Sequence, residues 1–176
     1  MTARKIVLFI AQSLDGYIAA KNDSLQWLFD VEGEGDNGYS EFYDKVDTIL
    51  LGKRTYDWIM EHENGKFPYQ NKECYVFSRS EIADTNAVTF VNEDISAFTA
   101  KLKKQEGKSI WMVGGGDLLH TFLKENLVDE LIVTIAPKIL GDGIPLFKPD
   151  EYHLDLFLRG TRTFNQFVEL QYEVKR

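Results

Sequence analysis

Apolar residues in this chain come in short dense runs separated by segments of helical period. Lys5 to Ala11 reads as a buried strand, and Thr48 to Leu51, Cys74 to Phe77, Ala87 to Val91, Ile110 to Val113 and Leu131 to Ala136 read as further short strands. Between them lie helix candidates. Glu41 to Val46 is short, Thr55 to Met60 offers Tyr56, Ile59 and Met60, and Leu118, Leu119, Phe122 and Leu123 repeat at helical spacing. Ile95, Phe98 and Leu102 do the same, with Asp94 or Asn92 as N-cap and Gly107 just past the end. Alternating strand and helix predict an α/β fold whose mostly parallel sheet is covered on both faces. The C-terminal part differs: Leu154 to Phe164 and Phe167 to Lys175 form two strand runs joined at Asn165-Gln166. Val168, Leu170, Tyr172 and Val174 alternate there with Glu169, Gln171, Glu173 and Lys175, which predicts an antiparallel hairpin with one wet face. Glu32 to Gly38 is a loop, because its glycines oppose a helix.

Composition narrows the function classes. At 176 residues and 44% hydrophobic content, one domain over 1–176 is expected. A formal charge of -8 speaks against nonspecific attraction to nucleic acid or anionic membranes, which needs clustered Lys and Arg. Cys74 is the sole cysteine, so neither an internal disulfide nor a cysteine-rich zinc site can form. No signal-peptide pattern and no bilayer-length apolar run is present, and a cytoplasmic protein is expected. His62, His120 and His153 lack metal-ligand spacing, so no metal is expected.

Candidate chemistry gathers after the strands, where parallel sheets collect their ligands. Val113-Gly114-Gly115-Gly116-Asp117-Leu118 joins a strand to a helix; the glycines let the backbone approach a ligand, and the helix start aims free N–H groups at it, which suits a pyrophosphate. The spacing matches neither the dinucleotide fingerprint nor the P-loop, which argues against a Rossmann dehydrogenase using NADH. Gly52-Lys53-Arg54-Thr55 opens another helix with a glycine, two cations and a hydroxyl, fit for phosphate or for an ordinary solvated helix start. Ser78-Arg79 places a hydroxyl beside a guanidinium, which suits a phosphate monoester or a plain polar turn. In Gln12 to Ala19, Asp15-Gly16 marks a turn, and Asp15 fits an Asx-type turn residue.

These segments, taken in order, resemble the dihydrofolate reductase-like superfamily, and within it the branch similar to the C-terminal reductase domain of riboflavin-biosynthesis deaminase-reductase proteins. The resemblance rests on Ser13 to Ala19, Leu51 to Tyr56, Val76 to Arg79, Val113 to Leu118, Leu127 to Leu131 and Pro137 to Phe147, and so covers nearly the whole chain. It implies a three-layer sandwich with a C-terminal antiparallel hairpin, and NADPH as cofactor. Gly52, Lys53, Arg54 and Thr55 would lie at the phosphates, Ser78 and Arg79 at the 2′-phosphate, and Val113, Gly114, Gly115, Gly116, Asp117 and Leu118 at the pyrophosphate. Ala11 would lie near the nicotinamide, the segment Ser13 to Trp27 over the ring, and Asp15 and Thr134 toward substrate. The branch is usually dimeric, and Phe157, Phe164 and Phe167 offer a contact surface or simply core.

The expected activity is hydride transfer from NADPH to a heterocyclic or sugar-linked C=N or C=O substrate, most like 5-amino-6-(5-phosphoribosylamino)uracil reductase. The alternatives are an NADPH-binding module with little turnover and a dihydropteridine or dihydrofolate reductase. Folate enzymes carry an anchoring carboxylate in the first helix, where this chain has the glycine-rich Asp30 to Gly38. Asp36, Glu32 and Glu41 are the candidate proton donors, with water as the alternative, and each acid reads first as a solvated loop residue.

Overall fold

The computed structural model describes residues 3–69 and 71–176. In chain order its elements are β1 (Ile6–Ser13), β2 (Tyr17–Ala19), α1 (Gln26–Phe29), α2 (Tyr39–Tyr43), β3 (Val46–Gly52), α3 (Lys53–His62), β4 (Glu73–Phe77) and β5 (Thr89–Val91). There follow α4 (Ile95–Lys103), β6 (Ser109–Gly114), α5 (Gly116–Lys124), β7 (Glu130–Ala136), β8 (Ile144–Pro145), β9 (Leu156–Phe164) and β10 (Phe167–Val174). The main sheet has the order β5-β4-β3-β6-β1-β7-β10-β9. Its pairings from β5 through β7 are parallel, and β10 and β9 close it antiparallel. β2 and β8 form a separate small ribbon.

The sheet is sandwiched because its central strands are apolar on both sides. Ile6 and Leu8 of β1 join Leu50, Ile110 and Met112 under α4 and α5, where Leu102, Leu119, Phe122 and Leu123 cover them. Val7, Ile49, Leu51, Val76 and Trp111 face the other way, under Phe42 of α2 and Tyr56 and Ile59 of α3. Successive strand residues feed opposite layers, as the pleat requires. Asp94 caps α4 by accepting from the Ala97 N–H at 2.9 Å. Among the described residues no helix is long and apolar enough to cross a membrane.

Several boundaries shift from the sequence reading. β1 extends to Ser13 because β7 pairs with it to its end. The short helix begins at Tyr39 and stops at Tyr43, leaving Val46 to open β3, where it is fully buried. β5 begins only at Thr89, β9 only at Leu156, and β10 stops at Val174.

The larger correction concerns the wet face of the hairpin. Glu169 is fully buried, while Val168 is 41% exposed. Register explains the reversal: Glu169 lies opposite Thr134 of β7 and Arg162 of β9, on the face roofed by the start of α2. A Cβ built on Gly38 would lie 2.9 Å from an Arg162 guanidinium nitrogen and 3.6 Å from Glu169 Oε2, so this roof is tight. Arg162 Nε donates to Glu169 Oε1 at 2.9 Å, and Gln171 Nε2 donates to the same oxygen at 2.6 Å. A buried carboxylate is tolerable only with such partners.

Candidate functional site

Three strand ends emerge side by side, and the segments that follow them frame a candidate groove. Leu51 of β3 pairs with Gly114 of β6, and Gly52 pairs with Phe77 of β4, so Gly52–Thr55, Ser78–Arg79 and Gly114–Asp117 leave the sheet side by side. A Cβ on Gly52 would stand 3.5 Å from Gly115 N and 3.7 Å from Gly114 O. One on Gly115 would collide with Thr55 Oγ1 at 2.6 Å, so the Thr55 hydroxyl rests directly on the glycine backbone. Gly114 has φ +131, and the space a side chain would take is open. The Gly114–Gly115 peptide bond is cis. Right behind it α5 begins, with unpaired N–H groups and a positive dipole end facing the same groove.

Lys53 donates to both Asp57 oxygens, at 2.6 and 2.7 Å, an i,i+4 pair on its own helix. Arg54 is exposed and lies 3.5 Å from Asp23, across on the segment after β2. Arg79 is exposed, and the Ser78 hydroxyl accepts from the Ser80 N–H at 3.1 Å in a local turn. Val113 packs against the layer under α2 and α3, and Leu118 is buried with α5, which leaves their backbones for a ligand. The hydrogen bond from Lys148 holds the Asp117 carboxyl below the usual carboxylate range; burial opposes this, and the charges of Lys148, Arg54 and Arg79 lower it further.

Beside this groove β1 and β6 part company. They pair from Ile6–Ile110 to Leu8–Met112 and no further, whereas β1 stays paired with β7 as far as Ser13. The carboxyl-terminal half of β1 thus presents an unpaired backbone edge toward β6, with Ala11 part-exposed in it. Next to it the buried Gln12 Oε1 has no hydrogen-bond partner, a polar atom suited to an amide N–H from a ligand. Across the sheet at this level runs the row Ala11, Thr134, Glu169, Arg162, set by register on one face. Thr134 is buried in that row.

The acids from the sequence are committed elsewhere. Asp36 accepts from the backbone N–H and hydroxyl of Ser40, bonds that hold its carboxyl below the usual range. Glu41 bonds Arg162 Nη1 at 2.9 Å, which lowers its carboxyl likewise. Glu32 accepts from Asn165 Nδ2 at 3.5 Å and from Gln166 N through its carbonyl at 3.2 Å, fastening its loop to the hairpin turn. Asp15, placed toward substrate by the resemblance and read from its Asp-Gly pair as an Asx-type turn residue, accepts from Ser13 Oγ, Leu140 N and Gly141 N at 2.6, 3.1 and 2.8 Å, while the Tyr17 N–H of the turn donates to Ser13 Oγ at 2.9 Å. The bonds that Asp15 accepts hold its carboxyl low too, with that from Ser13 the largest cause. Glu169, Gln12, Tyr39 and Lys148 escaped the sequence reading. Glu169 was legible only as a charge within an apolar alternation, and the other three had no motif. Tyr39 lies beside Phe9, with ring centroids 6.3 Å apart, and burial pushes its phenol up to about 12.

The family described as RibD C-terminal domain matches residues 4–169. The uncharacterized protein YwjB of Bacillus subtilis (strain 168) is 49% identical over 170 residues, covering 96% of this chain and 97% of that protein. A solved protein from Shewanella sp. PV-4, provisionally assigned to riboflavin biosynthesis, superposes with a TM-score of 0.87 at 30% identity, over 99% of this chain and all of that one. Dihydrofolate reductase from Enterococcus faecalis, solved with NADP(H) and RAB-propyl, shares the fold: TM-score 0.64 at 15% identity, over 98% of this chain and 97% of that one.

Proposed function

The chain belongs to the RibD C-terminal domain family, and from that membership and its groove we propose that it is an NADPH-dependent reductase of a heterocyclic or sugar-linked C=N or C=O compound. Membership and the dihydrofolate reductase-like fold support a reductase-type function. The observation that carries the coenzyme is the meeting of Gly52–Thr55, Ser78–Arg79 and Gly114–Asp117 at one groove. Residues present there fit the group: an open glycine backbone for the pyrophosphate, and a hydroxyl with a guanidinium for the 2′-phosphate. When bound, the coenzyme supplies a hydride from its nicotinamide ring.

The chain supplies position and a proton. In this reading the parted edge of β1, with Ala11 and Gln12, holds the ring, and Thr134 lies on the substrate side. Asp36 and Glu41, held ionised, have no proton to give near neutral pH. Tyr39 stays protonated there, and its hydroxyl is the donor we assign to the atom left negative by reduction. A folate-type anchor is disfavoured, because the buried carboxylate on this face is already bonded to Arg162 and Gln171.

The same commitment of acids favours a second reading, a coenzyme-binding module with little turnover. Loss of NADPH absorbance with ring-opened ribosylamino-pyrimidines, dihydropteridines and simple carbonyls decides between them. Steady oxidation with one class supports the reductase. Tight binding with no oxidation across all of them supports the module and overturns the reductase.

A further inference from the structure

Lys148 lies just past β8, where no motif drew attention to it, yet its side chain ends in the groove. Its Cε is 3.6 Å from where a Cβ on Gly116 would stand, and Pro145 O lies 4.0 Å from the same point, so the stem is laid along the first residue of α5. The side chain is 34% exposed, and the ammonium bonds Asp117 Oδ1. Asp117 itself is 82% exposed in the first turn of α5, a position where negative charge meets the helix dipole and the free N–H groups. Its carboxylate therefore occupies, within the chain itself, the electrostatic place of a phosphate.

A fixed carboxylate in that place repels a pyrophosphate unless a cation offsets it. Arg54 lies 3.5 Å from Asp23, and Lys53 is bonded to Asp57. Of the three cations whose charge reaches Asp117, Lys148, Arg54 and Arg79, Lys148 is the one bonded to it directly. We propose that Lys148 is a pyrophosphate-binding residue of the coenzyme groove, with Asp117 as its resident counterion, which it exchanges for the coenzyme phosphate. The inference rests on the coenzyme reading given above.

Because both nicotinamide coenzymes carry the pyrophosphate, the effect must not depend on the 2′-phosphate. Fluorescence titration of the full chain with NADPH and with NADH, on the unaltered protein and on Lys148→Met and Asp117→Asn, provides the test, with thermal melts to confirm folding. Lys148→Met is expected to weaken both coenzymes by the same factor, about tenfold or more for a lost charge-assisted contact. Asp117→Asn is expected to tighten both, by removing the repulsion and freeing the ammonium. If the pair only braced the loop, the two variants would weaken binding alike, and that result overturns the inference. So does unchanged affinity in Lys148→Met. Absence of binding by the unaltered chain overturns the coenzyme reading itself, and this inference with it.

Discussion

In the proposed function Arg79, the exposed guanidinium that follows β4 beside the Ser78 hydroxyl, is the residue that would select between the coenzymes. Arg79→Ala should cost roughly 1.5–3 kcal/mol of NADPH affinity and leave NADH nearly unchanged. Equal losses for both coenzymes would remove the 2′-phosphate role. Tyr39 makes the second prediction at this scale. Tyr39→Phe keeps the ring contact with Phe9 and removes the hydroxyl, so turnover should fall about 10²-fold or more while coenzyme affinity holds. Unchanged turnover would move proton delivery to solvent. Gly115 and Asp15 show how a residue's motif can be legible while its job is not. The triplet pointed to a close backbone approach, and within the chain Thr55 Oγ1 lies 2.6 Å from where a Cβ on Gly115 would stand. The Asp-Gly pair pointed to a turn, and Asp15 proves to fasten that turn to Leu140 and Gly141, far along the chain.

Elements were legible where one local rule governed them. β1, β3, β6 and β7 are buried on both faces, and their unbroken apolar runs showed in the sequence; the Asp94 cap and the period of α4 did so too. β10 misled at Val168 and Glu169, where burial is set by a distant element, whereas Val174 is buried and Tyr172 packs on the core as the alternation predicts. The start of α2 and Gly38 cover the face bearing Glu169, and no local alternation records that roof. The acid segment is also pH-sensitive. Bonds from Ser40 lower the Asp36 carboxyl below its ordinary value of 3.8, and Arg162 lowers Glu41 below 4.5. Groups with depressed folded values stabilise above their unfolded values, and that contribution is lost as pH falls through the lower folded ones. Protection of residues 32–43 in hydrogen exchange should therefore be full at pH 6 and decline below about pH 4. Arg162→Gln should loosen the segment already at pH 6. Protection that is flat down to pH 3 would contradict this account of the hinge between hairpin and loop.

At the scale of the whole molecule, the edge of the sheet is unfinished. Leu156, Leu158 and Val168 are 37%, 59% and 41% exposed, and register places them on one face of the β9–β10 hairpin. Of the aromatic residues first considered for contact, Phe157 is 49% exposed, but Phe167 is buried and Phe164 packs over the Arg162 guanidinium at 5.1 Å. We infer that this apolar face seats a second copy of the chain, as such surfaces do. Sedimentation should then report a dimer, and Leu158→Glu a folded monomer; a monomeric unaltered chain would contradict it. The groove lies at the other end of the sheet's logic, where parallel strands release three loops together, and it is there that the account stands or falls. Equilibrium titration of the purified chain with NADPH and NADH tests it most directly. The account predicts saturable binding of both, with NADPH the tighter by about tenfold or more, the worth of one charge-assisted phosphate contact. Equal affinity, or no binding of either, would contradict it.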